Sequence, residues 1–250
     1  MVDQHKAYAF GITTVLFWST VATAFKIALA SLTVVQLIFY ACVSSTLVLL
    51  SALVWQGRLH ELLPTFRQHW RITLLAATLN PLVYYLILFA AYDRLPAQVA
   101  QPINYTWAIV LTLMSIYFLK QRVTVRDLFA AAVCYAGVVL IATQGQWQLT
   151  PMVNFPGIML ALASTVIWAG YWILNIRDSR EPLLALSLNF LCALPVALLG
   201  CVLFSTPAVS IGAGLGAALY IGIFEMGLAF LCWSQALKLA ENTSRVSNLI

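Results

Sequence analysis

Glu225 stands alone in the stretch GIFEMGLAFLCW (222–233), apolar on both sides and with no basic residue near it in sequence. An ionised carboxylate inside a bilayer costs several kcal/mol unless it is paired or wet, and otherwise it takes a proton. Such a residue meets a cation, carries an exchanged proton, or bonds in neutral form to a neighbouring helix. Polar and aromatic residues recur at helical spacing elsewhere. Trp18 lies in LFWSTVATAFKI, and Trp168 in VIWAGYWILNI with Ser164, Tyr171 and Asn175 at steps of three and four and Trp172 beside them. Tryptophan usually anchors at membrane interfaces, but these two lie midway along their segments. Mid-membrane rings could grip planar groups by stacking and ammonium groups by cation–π attraction; plain packing is the other reading.

Three further faces fit the same pattern. Thr73, Ala77, Asn80, Tyr84 and Ala91 share one helical face, on which Pro81 removes a backbone hydrogen bond and frees a carbonyl near Ala77. That irregularity implies either a packing kink or a wet cavity. Gln98, Gln101, Tyr105, Ala108, Thr112 and Ser115 form a continuous polar or small stripe that lipid cannot satisfy, while Trp107 lies off it. Lys26 shares a face with Ser19, Thr23 and Ala30, either snorkelling or meeting a substrate carboxylate. Converged, these faces would form a central site for amphipathic zwitterions, lined by Trp18, Asn80, Tyr84, Tyr105, Trp168, Trp172 and Glu225, with Lys26, Gln101 and Trp107 as further candidates.

Other chemistries find little support. His5, His60 and His69 fall in the N-terminus or in one loop, and neither an HExxH nor a GxSxG sequence occurs, which argues against an intramembrane enzyme. No Walker motif is present, so ATP is not the expected driving force. The five cysteines lie in apolar segments without a CxxC pair, so no metal, cofactor or disulfide framework is expected. GAGLG (212–216) offers small-xxx-small packing rather than a nucleotide loop, because no strand precedes it.

The elements that must hold these residues are membrane helices. Of the 250 residues 62% are hydrophobic and 8% charged, against about 25% charged in soluble domains. A helix needs about 20 apolar residues to cross. Spans are predicted at 8–29, 33–55, 72–92, 97–119, 128–144, 155–176, 183–204 and 213–237, with a ninth starting near 246, in an all-α polytopic membrane protein surrounded by lipid. No cleavage site follows the polar start MVDQHK, so the first span is read as retained. Eleven of the 13 Lys and Arg fall in the N-terminus and the even-to-odd connections; only Arg94 lies in the others, and Lys26 lies within the first span. Basic loops stay cytoplasmic, which places the N-terminus inside and the loops near 30, 93, 148 and 208 outside. The same bias accounts for the net charge of +5 without a nucleic acid partner.

The chain also repeats. Trp18 aligns with Trp168 at an offset of 150, and Asn80 with Glu225 at 145. A five-helix unit used twice is inverted in its second copy, a build common among secondary transporters with midplane sites. The units read as 1–144 and 155–250. The offset extends the second unit to about 289–294, roughly 40 residues past Ile250, so it is expected to be incomplete in this chain. AAYDRLPAQVA (90–100), LKQRVTVRDLFAAAVCYAGVVLIA (119–142), QALKLAENTSRVS (235–247) and Trp18 with Ser19-Thr20 resemble the drug/metabolite transporter superfamily, the EamA-type permeases. The likeness is strongest to the YddG-type exporters of aromatic and other amino acids. It implies ten helices in two inverted halves and amino acid export across an inner membrane by alternating access; other metabolites and cationic drugs are alternative cargo. Many relatives carry Glu where this chain has Gln121, so no role of that Glu transfers. A channel or a membrane scaffold remains the reading from another class.

Overall fold

A computed structural model describes residues 2–120, 124–143, 154–247 and 249. Gln121 and the 145–153 loop therefore lie outside the described residues. The described chain is helical: α1 Gln4–Leu29, α2 Val34–Trp55, α3 Leu59–Arg94, α4 Ala97–Phe118, α5 Val125–Thr143, α6 Phe155–Arg177, α7 Pro182–Phe204, α8 Ala213–Leu239 and the short α9 Thr243–Ser247. Seven of these, α1–α4 and α6–α8, are long and apolar enough to cross a membrane. The α7 face bearing Val196, Leu199 and Leu203 is exposed and apolar, as suits contact with lipid.

Start signals are local. Thr33 and Gln36 close a capping box on α2, and Asn154 and Glu181 cap α6 and α7 through the Gly157 and Leu184 N–H groups. The largest difference from expectation is in α3, which begins at Leu59 rather than at 72. Its 36 residues would extend about 54 Å, well beyond the roughly 30 Å hydrocarbon core. The surplus carries Arg67, His69 and Arg71, and the helix bends at His69 (φ −124°, ψ 24°). Hydropathy marks where a helix enters lipid, whereas charge does not stop a helix in the interfacial zone.

The connections meet in two groups, one at each end of the bundle. At one end Thr33 donates to Ser205 (3.2 Å), Gln36 to the Thr206 carbonyl (2.8 Å) and Asn154 to the Arg94 carbonyl (3.4 Å). At the other, the Asp3 N–H donates to the Leu239 carbonyl (2.9 Å), Arg58 pairs with Glu181 (3.6 Å), and Arg177 donates to the Phe118 carbonyl. The basic connections therefore share one end of the molecule, and Arg94 lies at the other.

α2 packs along α7 and α8. Gly222 permits a close approach: a Cβ there would collide with the Ser44 hydroxyl and the Ala41 carbonyl of α2. The same holds for Gly214 against Ser31, whereas Gly212 and Gly216 face open space. In GAGLG the packing residue is thus the middle glycine, not the outer small-xxx-small pair.

Spans α1, α3, α4 and α8 are interrupted near mid-height. α1 breaks at Ser19–Thr20 and α4 at Thr106. α3 passes through a π-segment, Thr78–Val83, in which Asn80 is non-helical and the Asn80–Pro81 peptide is cis. α8 has a second π-segment, Ile221–Ala229, around Glu225. Such irregular backbone survives at membrane depth only when buried in protein or facing a cavity.

Candidate functional site

The interruptions converge on one pocket. It is lined by Trp18, Val21 and Phe25 of α1, Tyr84, Leu88 and Tyr92 of α3, Asn104, Tyr105 and Trp107 of α4, Trp168 of α6 and Glu225 of α8. Its volume is about 20 Å³, room for about one water molecule. The pocket is thus closed around its own side chains.

Tryptophan closes it. Trp18, Trp107, Trp168 and Trp233 form a cluster with ring centroids 5.3–6.4 Å apart. Trp168 stacks on Tyr84 (4.1 Å, 15°) and on Tyr171 (5.6 Å, 17°), with Trp172 edge-on at 5.2 Å. The aromatic faces grip one another here, and a planar guest would have to enter between rings now in contact. Trp107, off the sequence stripe, reaches the pocket because the break at Thr106 resets the helical phase; Tyr105 and Trp107 then both face inward.

Glu225 is buried, with one carboxylate oxygen accepting from the Tyr85 hydroxyl at 2.6 Å and the other without a partner. Gly222, which the helical repeat would place beside it with room to spare, instead packs on α2, because the π-segment shifts the phase between them. On the opposite wall Asn104 donates to the Ser164 hydroxyl (2.9 Å), and its carbonyl accepts from Tyr84 (3.4 Å). Tyr105 donates to the Trp18 carbonyl (3.1 Å), which the break in α1 leaves available.

The remaining candidates are placed otherwise. Trp172 stands behind Trp168, fully buried. Asn80 also lies outside the pocket wall; it is buried, and neither its amide oxygen nor its nitrogen makes a hydrogen bond. Lys26 donates to the Tyr92 (2.7 Å) and Leu95 (3.2 Å) carbonyls, so its ammonium ties α1 to the end of α3. Gln101 lines a wider cleft of about 310 Å³ between α1 and α4, with Val15, Trp18, Ser19 and Tyr105.

Sequence reasoning missed Asn104, Tyr85 and Trp233. A signal existed for two of them. Asn104 is an amide inside an apolar span, and Trp233 is two turns beyond Glu225 on a common helical face. Nothing local marks Tyr85, whose partner lies 140 residues away.

Seven apolar spans around a mid-height polar pocket define a multi-pass membrane protein. The sequence profile of the EamA-like transporter family matches residues 5–143 and again 155–247, and the chain belongs to that family of transporters. Among similar proteins, the aromatic amino acid exporter YddG of Ancylobacter novellus is 26% identical over 62% of this chain and 54% of its own. The chain therefore spans about half the length of that relative. An uncharacterized transporter of Archaeoglobus fulgidus is 26% identical over 92% of this chain and 80% of its own, and the inner membrane protein YtfF of Escherichia coli is 28% identical over 74% and 63%. One crystal structure matches 99% of this chain and 84% of its own with a TM-score of 0.80 at 23% identity, a likeness of fold alone.

Proposed function

We propose that the protein is a secondary transporter that exports amphipathic zwitterions, aromatic and other neutral amino acids, across the inner membrane by alternating access, with its N-terminus cytoplasmic. The observation that carries this reading is the pocket itself, in which one carboxylate, Glu225, faces an aromatic wall of Trp18, Tyr84, Trp107 and Trp168. Rings bind the side chain of an aromatic amino acid, and the free oxygen of Glu225 meets either the substrate ammonium or an exchanged proton. The titratable side chains around Glu225 are Tyr84, Tyr85, Tyr92 and Tyr105.

The architecture proposed with it is two inverted five-helix repeats. The doubled family match supports it, as does the 145-residue offset, which carries the π-segment of α3 onto that of α8 and Asn80 onto Glu225. The family resemblance to an amino acid exporter supports the substrate class. A second reading, export of organic cations, draws on the same carboxylate and rings, which would bind a cation lacking a carboxylate equally well. Counterflow in liposomes with labelled amino acids decides between them. Saturable exchange of phenylalanine, inhibited weakly by phenethylamine, is expected; uptake of the amine alone would favour the cation reading.

A further inference from the structure

A second polar cluster lies toward the basic-loop end, and the pocket does not use it. Asp178 and Arg180, in the connection between α6 and α7, form an ion pair at 2.6 Å whose side chains are 5% and 1% exposed. The Arg180 fork donates to both oxygens of Asp178, to the Thr73 hydroxyl of α3 (2.6 Å) and to the Asn189 carbonyl of α7 (3.4 Å). Lys238 of α8 donates to the Arg180 carbonyl (2.6 Å). Thus one side chain holds three elements, and a fourth is tied to its backbone.

Next to this pair stand polar groups without partners. The Tyr171 hydroxyl faces the Asn80 and Asn189 side chains without reaching hydrogen-bonding geometry to either, and both polar atoms of Asn80 are likewise free. Both residues are at most 1% exposed. Burying such groups unpaired is unfavourable, so a site that supplies them with a partner gains from it. Trp168 joins this cluster to the central pocket, stacked on Tyr171 on one side and on Tyr84 on the other.

We infer that the Asp178–Arg180 pair is a recognition site for a zwitterionic substrate arriving from the basic-loop end, the guanidinium taking its carboxylate and Asp178 its ammonium. Breaking a buried ion pair is strongly unfavourable when either charge is left alone. A zwitterion inserted into the pair leaves neither alone: each protein charge exchanges one opposite charge for another. The Arg fork suits a carboxylate bidentately. A ligand with a single charge satisfies one residue and strands the other, so the pair selects against simple amines and simple acids. Asn80 and Tyr171 supply the next polar contacts on the way to Trp168. The pair is covered in this structure, and it becomes accessible when α3 parts from the α6–α7 connection.

This inference rests on the amino acid reading above, and one experiment separates the two. The full-length transporter is reconstituted, labelled phenylalanine counterflow is measured, and phenylalanine, phenylalaninamide and 3-phenylpropionate are added as competitors on the basic-loop face. Arg180→Gln is expected to weaken phenylalanine and 3-phenylpropionate about tenfold and to strengthen phenylalaninamide, whose ammonium then meets Asp178 without stranding a guanidinium. Asp178→Asn is expected to weaken phenylalanine and phenylalaninamide and to strengthen 3-phenylpropionate, which then meets Arg180 without stranding a carboxylate. Arg180→Lys, which keeps the charge and loses the fork, carries the same comparison if the neutral variants do not fold, with a smaller loss confined to the two carboxylates. Equal weakening of all three competitors, or of none, would make the pair a structural latch and overturn the inference. Absence of phenylalanine counterflow in the wild type would overturn the functional reading instead.

Discussion

Glu225 holds one hydrogen bond where a carboxylate can take several, and that bond comes from a neutral phenol rather than a cation. Its side chain lines a space about the size of a water molecule. Glu225→Gln preserves shape and the Tyr85 contact while removing charge. If Glu225 carries the exchanged proton, this variant should still exchange phenylalanine but lose its pH response; if Glu225 meets the ammonium, exchange itself should fall by an order of magnitude or so. Unchanged transport with unchanged pH dependence would leave Glu225 a structural residue. Trp168 needs a gentler change than truncation, since its rings hold Tyr84, Tyr171 and Trp172, and a buried Trp→Ala change costs about 3–5 kcal/mol. Trp168→Leu, which keeps an apolar side chain but no ring, should weaken phenylalanine about 2- to 10-fold relative to alanine, because aromatic stacking adds about 0.5–1.5 kcal/mol beyond area. An equal loss for both substrates, at normal expression, would confine Trp168 to folding. The rarity of a mid-membrane acid or tryptophan made Glu225, Trp18 and Trp168 legible from sequence. Tyr85 was not, because tyrosine is common in spans and its partner is set by tertiary packing.

At the scale of elements, polar spacing found which helices converge, but not the phase at which they do so. Trp107 faces the pocket because α4 restarts at Thr106, and Gly222 turns to α2 because α8 widens into a π-segment. A periodicity argument assumes an unbroken helix, and it fails at the interruptions that build the site. The signal it misses is where backbone regularity stops, which Pro81 marks in α3 and Pro102 marks one turn before the break in α4. Gly222 gives a test confined to this scale. Gly222→Ala should lower the apparent melting temperature by several degrees, since overpacking costs about 1–3 kcal/mol and the obstructing Ala41 carbonyl cannot rotate away. Ser44→Ala in the same chain should recover only part of the loss. Gly216→Ala, with nothing within 4 Å, should be neutral or slightly stabilising as helix propensity rises. Equal destabilisation by both alanines would mean that the α2–α8 approach is looser than described.

For the whole molecule, the two ends are chemically unlike, and the same feature clasps each. Lys26 of α1 binds the carbonyls at the end of α3 at the end bearing Arg94, and Lys238 of α8 binds the Arg180 carbonyl just beyond α6 at the basic end. Each clasp joins a broken span to the terminus of its neighbour, and the two lie at opposite ends of the bundle. The orientation proposed for the membrane rests on charge, since basic connections resist translocation. Leu63→Cys and Ala208→Cys, both at exposed positions, report the two ends separately. In a background whose five native cysteines are alanine, an impermeant thiol reagent added to intact cells should label position 208 and spare position 63 until the membrane is opened. Labelling of 63 in intact cells would reverse the orientation. It would also turn the Asp178–Arg180 pair toward the outside, making it a site for substrate release rather than capture.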